Sequence, residues 1–143
     1  MTPIEAGSTT LDGEDLARGF EPDSAFYFRN ARRVAGKGEI ELPGAPPPDL
    51  VIEVDITSSS LRKLPLMAAM GIPEVWRFDG GVLTILRLES GCYRDANASI
   101  WLPPLTAEDA TRLAHLAMST VRPIEWRRAV ADWFERATRP KSL

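Results

Sequence analysis

The chain has 143 residues, 44% hydrophobic and 26% charged, a composition and length that fit one globular domain, residues 1–143, with a single core. A net charge of −3 excludes a protein that holds nucleic acid through a general basic surplus, although Arg29, Arg32, Arg33 and Lys37 form a local basic patch. No run approaches the roughly 18 apolar residues of a membrane span, Met1–Glu5 has no basic, apolar secretion start, and the lone Cys92 cannot close an internal disulfide, which together point to a reducing cytoplasm.

In chain order, Met1–Gly19 is polar and punctuated by Gly7, Gly13 and Gly19, and reads as loop with one short turn. Ser24–Asn30, rich in aromatics, reads as a strand. Arg32–Gly44 reads as a connection with a short strand around Ile40 and Leu42. Pro46–Pro48 gives a stiff extended approach without amide donors. Leu50–Ile56 is the central strand. Thr57–Ser60 breaks it and offers helix N-caps. The spacing then predicts a helix to about Met70, stopped by Gly71 and Pro73, with Pro65 in its first turn. Glu74–Phe78 and Val82–Leu88 flank Asp79-Gly80-Gly81, a hairpin turn. Cys92–Tyr93 and Ser99–Leu102 read as a further strand pair. Thr106 and Asp109 resemble a capping box ahead of a helix over Ala107–Met118. A last helix follows Pro123, with Trp126, Val130, Trp133 and Phe134 along one face as core or interface. The pattern is α/β, a mixed sheet with helices packed against it.

The chemistry concentrates in Asp49-Leu50-Val51-Ile52-Glu53-Val54-Asp55-Ile56. Side chains alternate sides along a strand, so Leu50, Ile52, Val54 and Ile56 form an apolar face. Asp49, Val51, Glu53 and Asp55 form the opposite one, three carboxylates in four. Magnesium and manganese take oxygen ligands, commonly one or two carboxylates with water and substrate phosphate. Glu53 and Asp55 lie about 6.6 Å apart along the strand and can approach a common ion, whereas Asp49 lies about 13 Å from Glu53 and does not share it. A second strand should bring another acid, and Asp23, after Pro22, is the best placed. Its alternative is to open a turn, the commonest use of Pro-Asp. Lys63 starts the following helix in register with Met67 and Met70. It turns its ammonium over the acidic face or is solvated in the first turn, and spacing does not separate the two.

These residues resemble a known family. The run PPPDLVIEVDITSSSLRKLPLMAAMGIPEVWRFDGG, with GFEPDSAFYF upstream, is similar to the Uma-two family of restriction-endonuclease-like proteins in the PD-(D/E)XK nuclease superfamily. The likeness covers about 8–105, leaving 106–139 as a helical C-terminal extension. It implies a restriction-endonuclease-like fold and a Mg²⁺- or Mn²⁺-dependent endonuclease acting on DNA. Carried over, Asp23 and Glu53 bind metal and Lys63 completes the catalytic set, with water as nucleophile. Asp55 stands where the superfamily places its lysine and reads as an additional metal ligand. Asp49 matches the aspartate that opens the strand, with a structural role or an outer-shell contact. Arg29 and Arg62 are weaker candidates for contact with nucleic acid. Family members usually carry an N-terminal helix and strand that this sequence lacks, so the likeness also implies a shortened member, or a homodimer in which a partner copy fills the gap. The alternatives to a nuclease are a catalytically inactive nucleic-acid-binding module of the same fold, and an interaction protein whose acidic face is simply solvated.

Overall fold

The computed structural model of the chain describes residues 4–5, 11–13, 16–20, 22–29, 31–34, 46–56, 59–119 and 122–140. Its strands are β1 (Ile4–Glu5), β2 (Leu11–Gly13), β3 (Leu16–Phe20), β4 (Ser24–Tyr27), β5 (Leu50–Asp55), β6 (Glu74–Asp79), β7 (Val82–Glu89) and β8 (Cys92–Ala96). Its helices are α1 (Ala31–Val34), α2 (Leu64–Ala69), α3 (Ala107–Ser119) and α4 (Pro123–Thr138), and a 3₁₀ turn over Ser60–Lys63 precedes α2.

Six strands pair in the order β1-β4-β5-β6-β7-β8, and β2 and β3 pair separately. Among the described strands only β5 and β6 run parallel. Parallel neighbours need a crossover rather than a tight turn, and here the 3₁₀ turn and α2 provide it. The Asp79-Gly80-Gly81 signal is realised as a two-residue hairpin: Asp79 faces Val82, and Gly80 and Gly81 have φ of +60° and +83°, the left-handed pair that a type I′ turn requires.

Alternation along the strands divides the core into two layers. On one face Ala25, Tyr27, Val51, Val75 and Leu86 pack with Met67 of α2 and with Ile72. On the other, Leu50, Trp76, Leu83 and Ile85 pack with Leu105 and with Ala110 of α3. The apolar face of β5 is buried only at its start: Leu50 is buried, while Val54 and Ile56 emerge into solvent.

Four sequence expectations are corrected. Met1–Gly19, expected as loop, contributes β1, which pairs with β4 (Ile4 opposite Tyr27), and most of a β2–β3 hairpin closed on itself (Leu11 opposite Phe20). Arg32–Gly44, expected as a connection, begins within α1; the strand expected around Ile40 and Leu42 lies outside the described residues. Ser99–Leu102 is not a strand, because side chains take its backbone donors: Ile100 N donates to buried Glu74, and Trp101 N and Leu102 N donate to Ser99 Oγ. Phe134, expected with Trp126, Val130 and Trp133 as core or interface, is 49% exposed and so is not core. The cap ahead of α3 is present, with Asp109 N donating to Thr106 Oγ1 at 3.1 Å.

Candidate functional site

The site is built on the α2-facing side of β5. Burial at Val51 is complete and continues to Glu53, which is only 2% exposed. Asp23 stands one residue before β4. Ser24 faces Ile52 and Ala25 faces Val51, so the antiparallel register carries Asp23 opposite Glu53. Val54 N donates to Asp23 Oδ2 at 2.7 Å and holds it there. Lys63 ends the 3₁₀ turn, and its Nζ donates to Glu53 Oε2 at 3.2 Å. Of the two orientations open for Lys63, the structure therefore has the inward one. Its side chain is 37% exposed and reaches from the surface onto a buried carboxylate.

Glu53 is electrostatically strained. Burial raises its carboxyl above the usual range, the Lys63 ammonium opposes that rise, and the charges of Asp23 and Asp55 add to it. One carboxylate oxygen is held by Lys63; the other, Oε1, is buried with no hydrogen-bond partner. Buried polar atoms are nearly always paired, and one that is not calls for an explanation. A hard divalent cation supplies one, since it takes carboxylate oxygens and fills its remaining positions with water and phosphate. The pair Asp23 and Glu53 fits that donor set. Among the described residues no three His, Cys, Asp or Glu side chains gather around one point.

Asp55 is on the same face but is otherwise engaged. It accepts from Ser60 N and Ser60 Oγ at 3.1 Å and from Arg77 Nε at 2.8 Å. Burial pulls its pKa upward, but the Ser60 and Arg77 donors outweigh that and hold it below the ordinary value. Arg77 sits on β6 opposite Glu53 and also bonds Ser60 Oγ at 3.2 Å and Asp79 Oδ2 at 2.8 Å. The sequence alone does not single out Arg77, and it offers Ser60 only as one possible helix cap. The cap is Ser59, whose hydroxyl accepts from Leu61 N. The available signal for Arg77 was a basic residue alternating in phase on the strand after an acidic one, but only the parallel register puts the two in contact.

Asp49 is remote from this group. Its Oδ2 accepts from Phe28 N at 2.8 Å and Arg29 N at 2.9 Å, and its Oδ1 from Arg29 Nε at 3.3 Å. It thus ties the end of β4 to the start of β5. Arg29 also lies over Trp101, 5.2 Å from the ring centre, and Trp101 stacks on Phe28. Arg62 is exposed. Removing the Asp49 carboxylate leaves two backbone donors without partners, so Asp49→Ala is expected to lose roughly 2–6 kcal/mol at 1–3 kcal/mol per orphaned group. Urea denaturation measures this, and manganese affinity by calorimetry should not change with it.

A mixed sheet flanked by helices, with one acid on β5, another at the entry to the neighbouring β4 and a basic side chain arriving from the crossover, defines a restriction-endonuclease-like α/β protein. The chain belongs to the Uma2 family: residues 5–119 match that family's sequence model, described as "Putative restriction endonuclease". The match runs from β1 through α3 and stops short of α4. No curated protein and no solved structure matches the chain. Among the described residues no helix is long and apolar enough to cross a membrane.

Proposed function

We propose that this protein is an endonuclease that hydrolyses phosphodiester bonds in DNA with a bound Mg²⁺ or Mn²⁺. The observation that carries the reading is Glu53 Oε1, buried without a partner beside the carboxylate of Asp23. Asp23 and Glu53 would hold the ion. When bound, it would supply Lewis acidity toward a phosphoryl oxygen and a water of lowered pKa as nucleophile. The fold contributes the rest. Val54 N fixes Asp23, so the two acids need little reorganisation. Lys63 Nζ, beside Glu53, is placed to hold the attacking water or to stabilise negative charge developing on the phosphate. No side chain need form a covalent intermediate.

The test is supercoiled plasmid with manganese, a chelator control and the Lys63→Met variant. Nicking is expected with metal only, and Lys63→Met should slow it by about 10²–10³, the usual loss for one group aimed at transition-state charge. Cleavage that survives the chelator would refute the reading. That no third His, Cys, Asp or Glu joins Asp23 and Glu53 among the described residues favours, as a second reading, a module of this fold that binds nucleic acid without turnover. It would show salt-sensitive DNA binding and no metal-dependent cutting.

A further inference from the structure

The superfamily's lysine position holds Asp55, and the lysine of this chain comes instead from the turn that follows. An ammonium on a long flexible stem, anchored only by its own partly exposed ion pair, would sample many positions. Something must hold the turn against β5, and the geometry shows what does. Ser60, the first residue of the turn, is 2% exposed and gives both its backbone N–H and its hydroxyl to Asp55. Arg77 closes the group from β6, with Nε reaching both Asp55 and Ser60 Oγ.

The 3₁₀ form of the turn carries this anchoring to Lys63. With three residues per turn, side chains at i and i+3 eclipse, so Ser60 and Lys63 project from the same side. Their separation along the turn axis is about 6 Å at 2.0 Å per residue. Asp55 and Glu53, two residues apart on one face of β5, are separated by about 6.6 Å. The two spacings match. Ser60 meets Asp55, and Lys63 meets Glu53 one step further back. An α-helical turn would carry i+3 about 60° out of line.

We propose that Asp55, Ser60 and Arg77 form a clamp that positions Lys63 on Glu53, and that Asp55 is a positioning residue rather than a ligand of the metal. The proposal deepens the nuclease reading and rests on it for the purpose of the clamp, though not for its geometry. The clamp contributes by holding the 3₁₀ turn in the one orientation that points Lys63 inward.

The test begins with metal-free protein. The chain has three lysines, Lys37, Lys63 and Lys141, so acylation at each can be followed separately by mass spectrometry in the cold. Ser60→Ala and Asp55→Asn should raise Lys63 labelling about two- to five-fold, the change expected when a partly exposed ion pair is released. Ser60→Thr, which keeps the hydroxyl, should restore protection. A cooperative urea transition in each variant separates local release from unfolding, and if Asp55→Asn does not fold, Ser60→Ala decides by the same ratio. With metal and plasmid, Ser60→Ala should cut about 10- to 100-fold more slowly, as for a displaced catalytic group, with manganese affinity by calorimetry within about two-fold of wild type. Lys63 labelling unchanged in both variants would overturn the clamp. So would an Asp55→Asn protein whose manganese binding is abolished as completely as in Glu53→Gln. A wild-type protein that cuts no DNA overturns the nuclease reading instead and leaves the labelling result standing.

Discussion

Glu53→Gln should stabilise the metal-free protein at neutral pH while abolishing its response to manganese. The first half follows from the pKa. The folded-state value of Glu53 lies above the ordinary 4.5, so the native state holds its proton more tightly than the unfolded chain does. The contribution to stability is then fully present below the unfolded value and is lost as pH rises through the folded one. Wild-type stability should decline from about pH 4.5 upward relative to Glu53→Gln, whose amide does not titrate. Lys63 works against this, because its charge favours ionised Glu53 and is left without its partner in the variant. That loss is small, since Lys63 is 37% exposed and water can take the carboxylate's place. Burial of a carboxylate with one orphaned oxygen is the larger effect. Manganese reverses the ranking. At one hundred times its dissociation constant a ligand of the folded state adds about 2.7 kcal/mol, which wild type should gain and Glu53→Gln should not. Urea melts from pH 4 to 8, with and without manganese, measure both halves. Parallel pH curves for the two proteins, or equal stabilisation by manganese, would remove Glu53 from the centre of the site.

How much of this was legible in the sequence depends on which interactions are local. Period-two alternation is local, so the acidic face of β5 and the special place of Glu53 could be read directly. The Gly80-Gly81 turn and the Thr106 cap could be read for the same reason. Register is not local. Asp23 opposite Glu53, and Arg77 beside Asp55, depend on how β4 and β6 slide against β5, and no propensity encodes that. Asp55 shows the consequence: from spacing alone it is as good a metal ligand as Glu53, and only the donors of Ser60 and Arg77 show how it is used. Ser99–Leu102 failed as a strand because Glu74 and Ser99 side chains compete for its amides, a contest decided by tertiary packing. Spacing alone does not decide the inward turn of Lys63, because a helix and a 3₁₀ turn place that residue differently. The family likeness named the partners of Glu53; the register and the turn account for how they meet.

Arg77→Met should be the most destabilising single change near the site, at about 3 kcal/mol, the lower end of the cost of breaking a buried ion pair from one side. Asp55 is 6% and Arg77 17% exposed, so neither charge has ready access to water once its partner is gone. The loss is moderated because Asp55 keeps its donors from Ser60. Asp79 provides the internal comparison. It bonds the same guanidinium at 2.8 Å but is 51% exposed, and Asp79→Asn should cost less than about 1 kcal/mol, as exposed pairs do. The pH dependence has the opposite sign to that of Glu53. Asp55 is held below its ordinary value of 3.8, so its contribution is present above that pH and is lost as pH falls through the folded pKa. Removing Arg77 brings the folded pKa back toward the unfolded one, so the variant should have less of this stability to lose in acid. Urea denaturation at pH 7 and pH 3 tests both statements. If Arg77→Met and Asp79→Asn cost the same, Arg77 is a surface arginine with two ordinary neighbours, and the connection from β6 through Asp55 to the lysine-bearing turn is not what holds this side of the sheet together.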